Sequence, residues 1–225
     1  MDGNTRWAKK KKLKTKEGHK AGVKKARMAV EFALENNIKY LTLFAFSTEN
    51  WARKKTEVKD LISLFFEALK EQTPKLKEEK VKLSFIGDVP RFGKSLIKNL
   101  EESSRNTSGY KQKLDLIIAA SYGGKWDILN AVNKLTSDIS EKKIKKIKIT
   151  EKDFNKKLET SIFPDPDLVI RTGGEMRISN FYLWQAAYSE LYFSKKLWPD
   201  FSKNDLSNAI KEYLKRKRKF GKRTG

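Results

Sequence analysis

"IKYLTLFAFS" (38–47) reads as a buried strand, because its apolar residues fall on both faces of the period-two alternation and leave neither face for water. Upstream, 22–37 reads as a helix with Val23, Ala26, Val30, Ala33 and Leu34 on one face. Downstream, Thr56 is placed to cap a helix whose apolar residues include Val58, Leu61, Ile62, Phe65, Phe66 and Leu69. The same pattern then repeats. "VKLSFIG" (81–87) is a strand, 94–104 a helix, "KLDLIIAAS" (113–121) a strand and 125–135 a helix. After a lysine-rich linker (141–148) and a short helix near 151–158 come strands at "DLVIRT" (167–172) and "ELYFS" (190–194). A final helix over 203–219 carries Leu206, Ile210, Tyr213 and Leu214. Strands alternating with helices imply parallel pairing through helical crossovers. The expected fold is therefore α/β, a single domain over 1–225 with a mostly parallel β-sheet flanked by helices. Such folds generally begin with a buried strand, whereas this chain begins at "MDGN". A first strand is expected to be lacking, which leaves neighbouring backbone groups unpaired.

Composition narrows the chemistry. The 225 residues contain no cysteine and one histidine, which excludes disulfides, thiolate metal sites, cysteine nucleophiles and multi-histidine metal sites. The N-terminus is polar and lysine-rich, unlike a signal peptide, and no apolar run approaches the roughly 18 residues of a spanning helix. A soluble, cytoplasmic protein is expected. Lys+Arg number 50 against 28 Asp+Glu, a net charge of +22. Lysines outnumber arginines 40 to 10 and are spread along the chain. That dispersal favours solvation or weak attraction to an anionic membrane over specific nucleic-acid recognition, for which arginine forks are preferred.

Four constellations bear on function. "IGDVPRFGKS" (86–95) resembles a phosphate loop, but five residues rather than four separate Gly87 from Gly93, and Pro90 removes a backbone donor. In "MDGNTRWAKK" (1–10), Asp2, Gly3 and Asn4 form a turn before a helix. Free N–H groups and Arg6 there suit a diphosphate, and Asp2 suits Mg²⁺. The same residues also suit an ordinary capped helix. "FSTENWAR" (46–53) ends the 38–47 strand, and the carboxyl ends of parallel strands are where α/β folds bind ligands. Ser47, Glu49, Asn50, Trp51 and Arg53 crowd that loop. In "DLVIRTGGEMRISNF" (167–181), Arg171 and Arg177 flank a glycine turn with Ser179 beyond it, an arrangement suited to a second diphosphate or to a surface salt bridge. Two anion sites and a carboxylate point to a two-substrate phosphate chemistry.

Taken together, "MDGNxRWA", "GHKAG", "LTLFAFSTENW.R", "ASYGGKWDI", "DLVIRTGGEMRISNFYLWQAAYSELYF" and "LWPDF" resemble the cis-prenyltransferases, with undecaprenyl diphosphate synthases the nearest pattern. The resemblance implies Mg²⁺-dependent condensation of isopentenyl diphosphate onto an allylic diphosphate, farnesyl diphosphate, giving a long polyprenyl diphosphate that carries cell-wall glycans. It assigns Mg²⁺ to Asp2, with Glu190 contributing across a homodimer interface. Gly3, Asn4, Arg6 and Arg53 would hold the allylic diphosphate with His19 assisting, and Trp7, Ser47 and Trp51 would also contribute to substrate binding. Arg171, Arg177 and Ser179 would hold isopentenyl diphosphate, and Ser47 and Asn50 would sit at the condensing carbon. Leu43, Ala45, Ile62, Phe65 and Leu69 are candidates for an apolar product tunnel, or for plain core. The chain departs from the family pattern at Thr5, Thr15 and Met176, where Gly, Arg and His are usual. A truncated or non-catalytic prenyl-diphosphate-binding chain is the alternative reading, and peripheral attachment to anionic membranes a further expectation.

Overall fold

The computed structural model describes residues 1–141 and 148–217. In chain order the elements are α1 (Asn4–Lys10), α2 (Thr15–Glu35), β1 (Tyr40–Ser47), α3 (Lys55–Glu78), β2 (Val81–Ile86), α4 (Lys94–Asn106), β3 (Leu114–Tyr122) and α5 (Gly124–Ser140). They are followed by α6 (Glu151–Asn155), β4 (Leu168–Arg171), β5 (Glu190–Phe193) and α7 (Lys203–Lys215). All strand pairs are parallel, in the spatial order β1-β3-β2 and, separately, β4-β5. The α/β class with helices flanking a parallel sheet is as the sequence predicts.

β3 is central, and every one of its residues is buried. Its side chains divide by parity as far as Ala120; Ser121, at φ 54°, then breaks the alternation and Tyr122 falls with the odd-numbered residues. Leu114, Leu116, Ile118 and Ala120 join Val30, Ala33, Leu69 and Leu96 from the helices on one side. Ile117 and Ala119 meet Tyr122, Tyr182, Phe44 and Phe181 on the other. β1 carries an irregularity between Phe44 and Phe46, so Leu43 and Phe46, three residues apart, are both buried. That bulge re-aims the strand end into the loop carrying Ser47 and Asn50.

Several boundaries differ from the sequence reading. α2 begins at Thr15 rather than 22, because Gly18 and Gly22 serve as contact points within it and do not break it. Thr56 lies inside α3, whose N-cap is Lys54 with no side-chain cap bond. The last helix ends at Lys215; positions 218–219 of its expected range, and 142–147 of the expected linker, lie outside the described residues. Among the described residues β1 pairs only with β3 and β4 only with β5. Segments 38–45 and 163–172, which carry strands of the two sheets, line one cavity of ≈ 1080 Å³.

Candidate active site

The site gathers where the carboxyl ends of β1, β3 and β4 meet the start of the chain. Asp2 is fixed by its backbone: its N–H donates to Thr172 Oγ1 (2.9 Å), its carbonyl accepts from the same hydroxyl (3.1 Å), and also from the Trp198 N–H (2.9 Å). Thr172 is fully buried. The turn continues through Gly3 at φ 108°, where a Cβ would meet Leu197 Cδ2 at 2.7 Å, so no larger residue fits. α1 then starts, with the Trp7 N–H donating to the Gly3 carbonyl (2.8 Å).

Asp2 accepts from Arg171 Nη2 (3.0 Å) and lies 3.3 Å from Arg6 Nη2. Burial pushes this carboxyl up, but the Arg171 hydrogen bond and the two guanidinium charges outweigh it and hold it below the usual range. Arg6 reaches Glu175 (3.5 Å), which Arg177 also pairs with (2.6 Å). Arg171 Nη1 donates to the Arg177 carbonyl and to Ser179 Oγ. Asp2, Arg6, Arg171, Arg177 and Ser179 thus form one connected cluster, although residues 2 and 171 are 169 positions apart. Gly173, at φ 94°, permits the closeness; its Cβ would stand 2.7 Å from Arg6 Nη2.

The opposite wall comes from β1 and α2. Ser47 and Asn50 cap the turn after β1 reciprocally, with the Ser47 N–H donating to Asn50 Oδ1 (3.0 Å). Arg53 pairs with Glu57 (2.8 Å), and its charge, after burial, is the next cause depressing His19. α1 lies tightly on α2: a Cβ at Gly18 would stand 2.2 Å from the Asn4 carbonyl oxygen, and one at Gly22 2.5 Å from Asn4 Oδ1. Two buried polar atoms, Asn4 Oδ1 and His19 Nε2, have no protein partner, and both residues line the cavity. Orphaned polar atoms of this kind cost on the order of 1–3 kcal/mol, which a polar ligand recovers.

Asp2, Asn4, His19, Ser47, Asn50, Arg53, Arg171, Arg177 and Ser179 therefore share one cavity, and Arg6 touches it through Asp2. Three expected residues sit elsewhere. The Trp7 indole donates to Asp200 (2.7 Å). Trp51 donates to Ser121 (2.9 Å), packs on Phe46 and Phe92, and carries the Arg91 guanidinium 4.8 Å from its ring centroid. Glu190 pairs with Arg216 (2.9 Å) at the start of β5, the strand end opposite to that of Arg171. Of the tunnel candidates, Leu43 and Ala45 line the cavity, whereas Ile62, Phe65 and Leu69 pack in the core. Thr5 is helical, exposed and free of positive φ, so it introduces no backbone strain. The 86–95 loop is not a phosphate cradle: Gly87 packs on the Ala120 carbonyl and Arg91 is spent on Trp51.

Two residues escape sequence reasoning. Thr172 anchors Asp2, and Asn180 joins three loops: its side chain donates to Glu49 (2.6 Å) and accepts from the Lys125 N–H (2.8 Å), while its carbonyl accepts from the Gly124 N–H (2.6 Å). Ser179, Asn180 and Tyr182 all adopt left-handed φ, between 47° and 63°, without being glycine. Backbone held in that region is stored strain, which clusters at functional sites. A run of polar residues after a strand was the only signal in the sequence. Asp2 is the one carboxylate here that could ligate a divalent cation, and its oxygens are shared with Arg6 and Arg171; among the described residues no three acidic or histidine groups cluster, so such a cation would take its remaining ligands from diphosphate and water.

Residues 1–221 match the protein-family model described as "Putative undecaprenyl diphosphate synthase". An isoprenyl transferase of Thermotoga maritima is 47% identical over 98% of this chain and 94% of its own length. A farnesyl-diphosphate-specific ditrans,polycis-undecaprenyl-diphosphate synthase of Photorhabdus laumondii is 47% identical over 98% of this chain and 87% of its own. Among solved structures, lavandulyl diphosphate synthase from Lavandula x intermedia, in complex with dimethylallyl diphosphate, superposes with a TM-score of 0.94 at 34% identity, covering 99% of this chain and 95% of the other. A probable undecaprenyl diphosphate synthase from Campylobacter jejuni gives 0.79 at 34% identity over 90% and 93%.

Proposed function

The chain belongs to the undecaprenyl diphosphate synthase family of prenyltransferases, and from that premise we propose that it condenses isopentenyl diphosphate onto farnesyl diphosphate to build a long polyprenyl diphosphate for a glycan-carrying lipid. The observation that carries this reading is the Asp2–Arg6–Arg171–Arg177 cluster at one end of a cavity whose walls include Leu43, Phe44, Ala45 and Ile170. It offers charged groups for diphosphates beside apolar surface for a hydrocarbon chain. We read residues 1–225 as one catalytic unit.

In this reading the allylic diphosphate lies against Gly3, Asn4, Arg6, His19 and Arg53, and isopentenyl diphosphate against Arg171, Arg177 and Ser179. Breaking the allylic C–O bond sends its electron pair onto the departing diphosphate, where charge grows in the transition state. The Arg6 and Arg53 forks stabilise that charge where it develops and need no reorganisation. The isopentenyl double bond then closes on the allylic carbon, and the cation so formed loses one proton to the departed diphosphate, near Ser47 and Asn50, which orient the reacting carbon. Asp2 would hold Mg²⁺, whose chemistry is to neutralise and polarise the diphosphate. Asp2 stays ionised for that task because its pKa is held down. Trp51 acts through packing on Phe46 and Phe92, and Trp7 through its hydrogen bond to Asp200.

Glu190 enters the site only in a homodimer. Exposed Leu129 and Val132 on α5, with Tyr188 and Leu191 around β5, supply apolar surface for such an interface. Light scattering on the purified chain tests this: a mass near twice 26.1 kDa is expected, and a monomer at micromolar concentration overturns it. No helix among the described residues is long and apolar enough to cross a membrane, and the net charge of +22 favours peripheral contact with anionic lipid.

The deciding experiment follows radiolabelled isopentenyl diphosphate into products with farnesyl diphosphate, with and without Mg²⁺, resolved by chain length. Magnesium-dependent long products are expected, together with a loss of about 10³-fold or more in kcat/KM for Asp2→Ala, the scale of losing a principal charge-stabilising group. Turnover unchanged by Asp2→Ala would refute the assignment of the metal.

A further inference from the structure

Residues 9–16, "KKKKLKTK", form a cationic turn with an apolar tip. Lys9 and Lys10 end α1, Lys11, Lys12 and Lys14 fill the connection, and Lys16 opens α2. All six are exposed, and among the described residues none has an acidic partner, while the neighbouring Glu17 is taken by Lys20 at 3.3 Å. The turn is well defined: Lys12 adopts φ 57°, its N–H donates to the Lys9 carbonyl (3.1 Å), and the Leu13 N–H reaches back to the Ala8 carbonyl (2.8 Å). In such a helix terminus the residue after the left-handed position usually folds back onto the helix. Here Leu13 keeps 47% of its surface exposed, with lysines on both sides of it in the chain.

One exposed apolar side chain among unpaired cations matches an anionic bilayer, where lysines meet headgroups and the alkyl tip enters below them. A nucleic acid would meet the lysines but offers Leu13 nothing, and no arginine fork lies between Arg6 and Arg27. We propose that the 9–16 turn is the docking surface of this chain for an anionic lipid bilayer, with Leu13 inserted at the headgroup level. α1 extends from the Asp2 turn to Lys10, roughly 10 Å at 1.5 Å per residue, so docking there holds the cavity close to the lipid. The purpose assigned to the contact, delivery of an apolar product, rests on the proposed function; the surface itself does not.

The absence of cysteine makes the test direct. Leu13→Cys is labelled with an environment-sensitive fluorophore and mixed with vesicles of phosphatidylcholine containing about 30% phosphatidylglycerol, in about 0.1 M salt. Its emission is expected to shift to the blue, to stay unshifted with pure phosphatidylcholine, and to stay unshifted when the label is on Lys111→Cys in the α4–β3 loop. Reversing Lys10, Lys11 and Lys12 to Glu should lower the vesicle-bound fraction about tenfold, while reversing Lys98, Lys111 and Lys113 leaves it within about twofold. Equal losses in the two triple variants, equal shifts of the two labels, or a Leu13→Cys shift with duplex DNA and none with vesicles would each overturn the proposal. Prenyl transfer assayed without vesicles should be unchanged by the Lys10, Lys11 and Lys12 reversals. An inactive chain whose Leu13→Cys label still shifts defeats the proposed function alone, and an active chain whose label does not shift defeats the docking surface alone.

Discussion

The hydroxyl of Thr172 is buried and serves two backbone groups of Asp2 at once, accepting from its N–H and donating to its carbonyl. Valine has the same shape and neither function, so Thr172→Val leaves a buried N–H unpaired and removes one of the two donors to the carbonyl, at about 1–3 kcal/mol. Because those groups set where the Asp2 carboxylate stands, kcat/KM should fall by about 10- to 100-fold and the Mg²⁺ needed for half-activity should rise. Thr172→Ser, which keeps the hydroxyl, should restore both. A Mg²⁺ titration indistinguishable from wild type in Thr172→Val would show that the hydroxyl only stabilises the fold. His19 gives a pH dependence of definite sign. Burial, and then the Arg53 charge, hold the imidazole below its ordinary value of 6.5, with Glu57 opposing. Between the lowered folded value and 6.5 the unfolded chain binds more protons, so stability is intact above pH 6.5 and is lost as pH falls through that window. His19→Asn should flatten this part of the curve in urea titrations. Asp2, also held low, acts only in stronger acid, as pH falls below the ordinary 3.8.

At the scale of elements, α1 is positioned by the bare face that α2 presents at Gly18 and Gly22. A methyl at Gly18 would fall 2.2 Å from the Asn4 carbonyl oxygen and 3.0 Å from Ala8 Cβ, so the short helix must move off. Gly18→Ala should therefore destabilise by about 1–3 kcal/mol despite alanine's better helix propensity, and displace Asn4 from the cavity. Gly109→Ala is the comparison, since its Cβ meets nothing within 4 Å and suffers only the cost of its φ of 84°. Denaturation midpoints of the two variants measure the difference; a Gly18→Ala midpoint at or above wild type would mean α1 docks by other contacts. The same helix shows what the sequence made legible. Strand β3 declares itself through the apolar run 116–120, and the strand–helix alternation implies the parallel topology. The motif residues gather because each lies at the end of an element that could be read locally. The first turns of α2, 15–21, are not legible as helix, because the purpose of Gly18 there, contact with α1, depends on tertiary packing. Thr172 and Asn180 were hidden for the same reason: their partners lie 170 and 131 positions away. Trp7, Trp51 and Glu190 sit inside the right motifs and point elsewhere, since a motif fixes the neighbourhood of a side chain and not its direction.

For the whole molecule, a net charge of +22 on 225 residues acts on stability and on ligand binding in opposite senses. Like charges on one compact surface repel, and unfolding separates them. The attractive pairs that offset this are mostly short-range and half-exposed, such as Arg6–Glu175 and Lys20–Glu17, and each contributes little. Raising ionic strength from about 0.01 M to 0.1 M shortens the screening length from about 30 Å to 10 Å, which removes the many long-range repulsions before it weakens contacts at 3 Å. The melting temperature should therefore rise by about 2–6 °C over that range, the equivalent of about 1–2 kcal/mol for a chain of this size. Diphosphate binding should weaken over the same range, because the excess positive charge that opposes folding also draws a polyanion to the arginine cluster. The measurable consequence is a thermal curve and a KM for isopentenyl diphosphate that both increase with salt. A melting temperature that falls instead would place the balance of the molecule's electrostatics in its ion pairs, and the surplus lysines would then act on partners without taxing the fold.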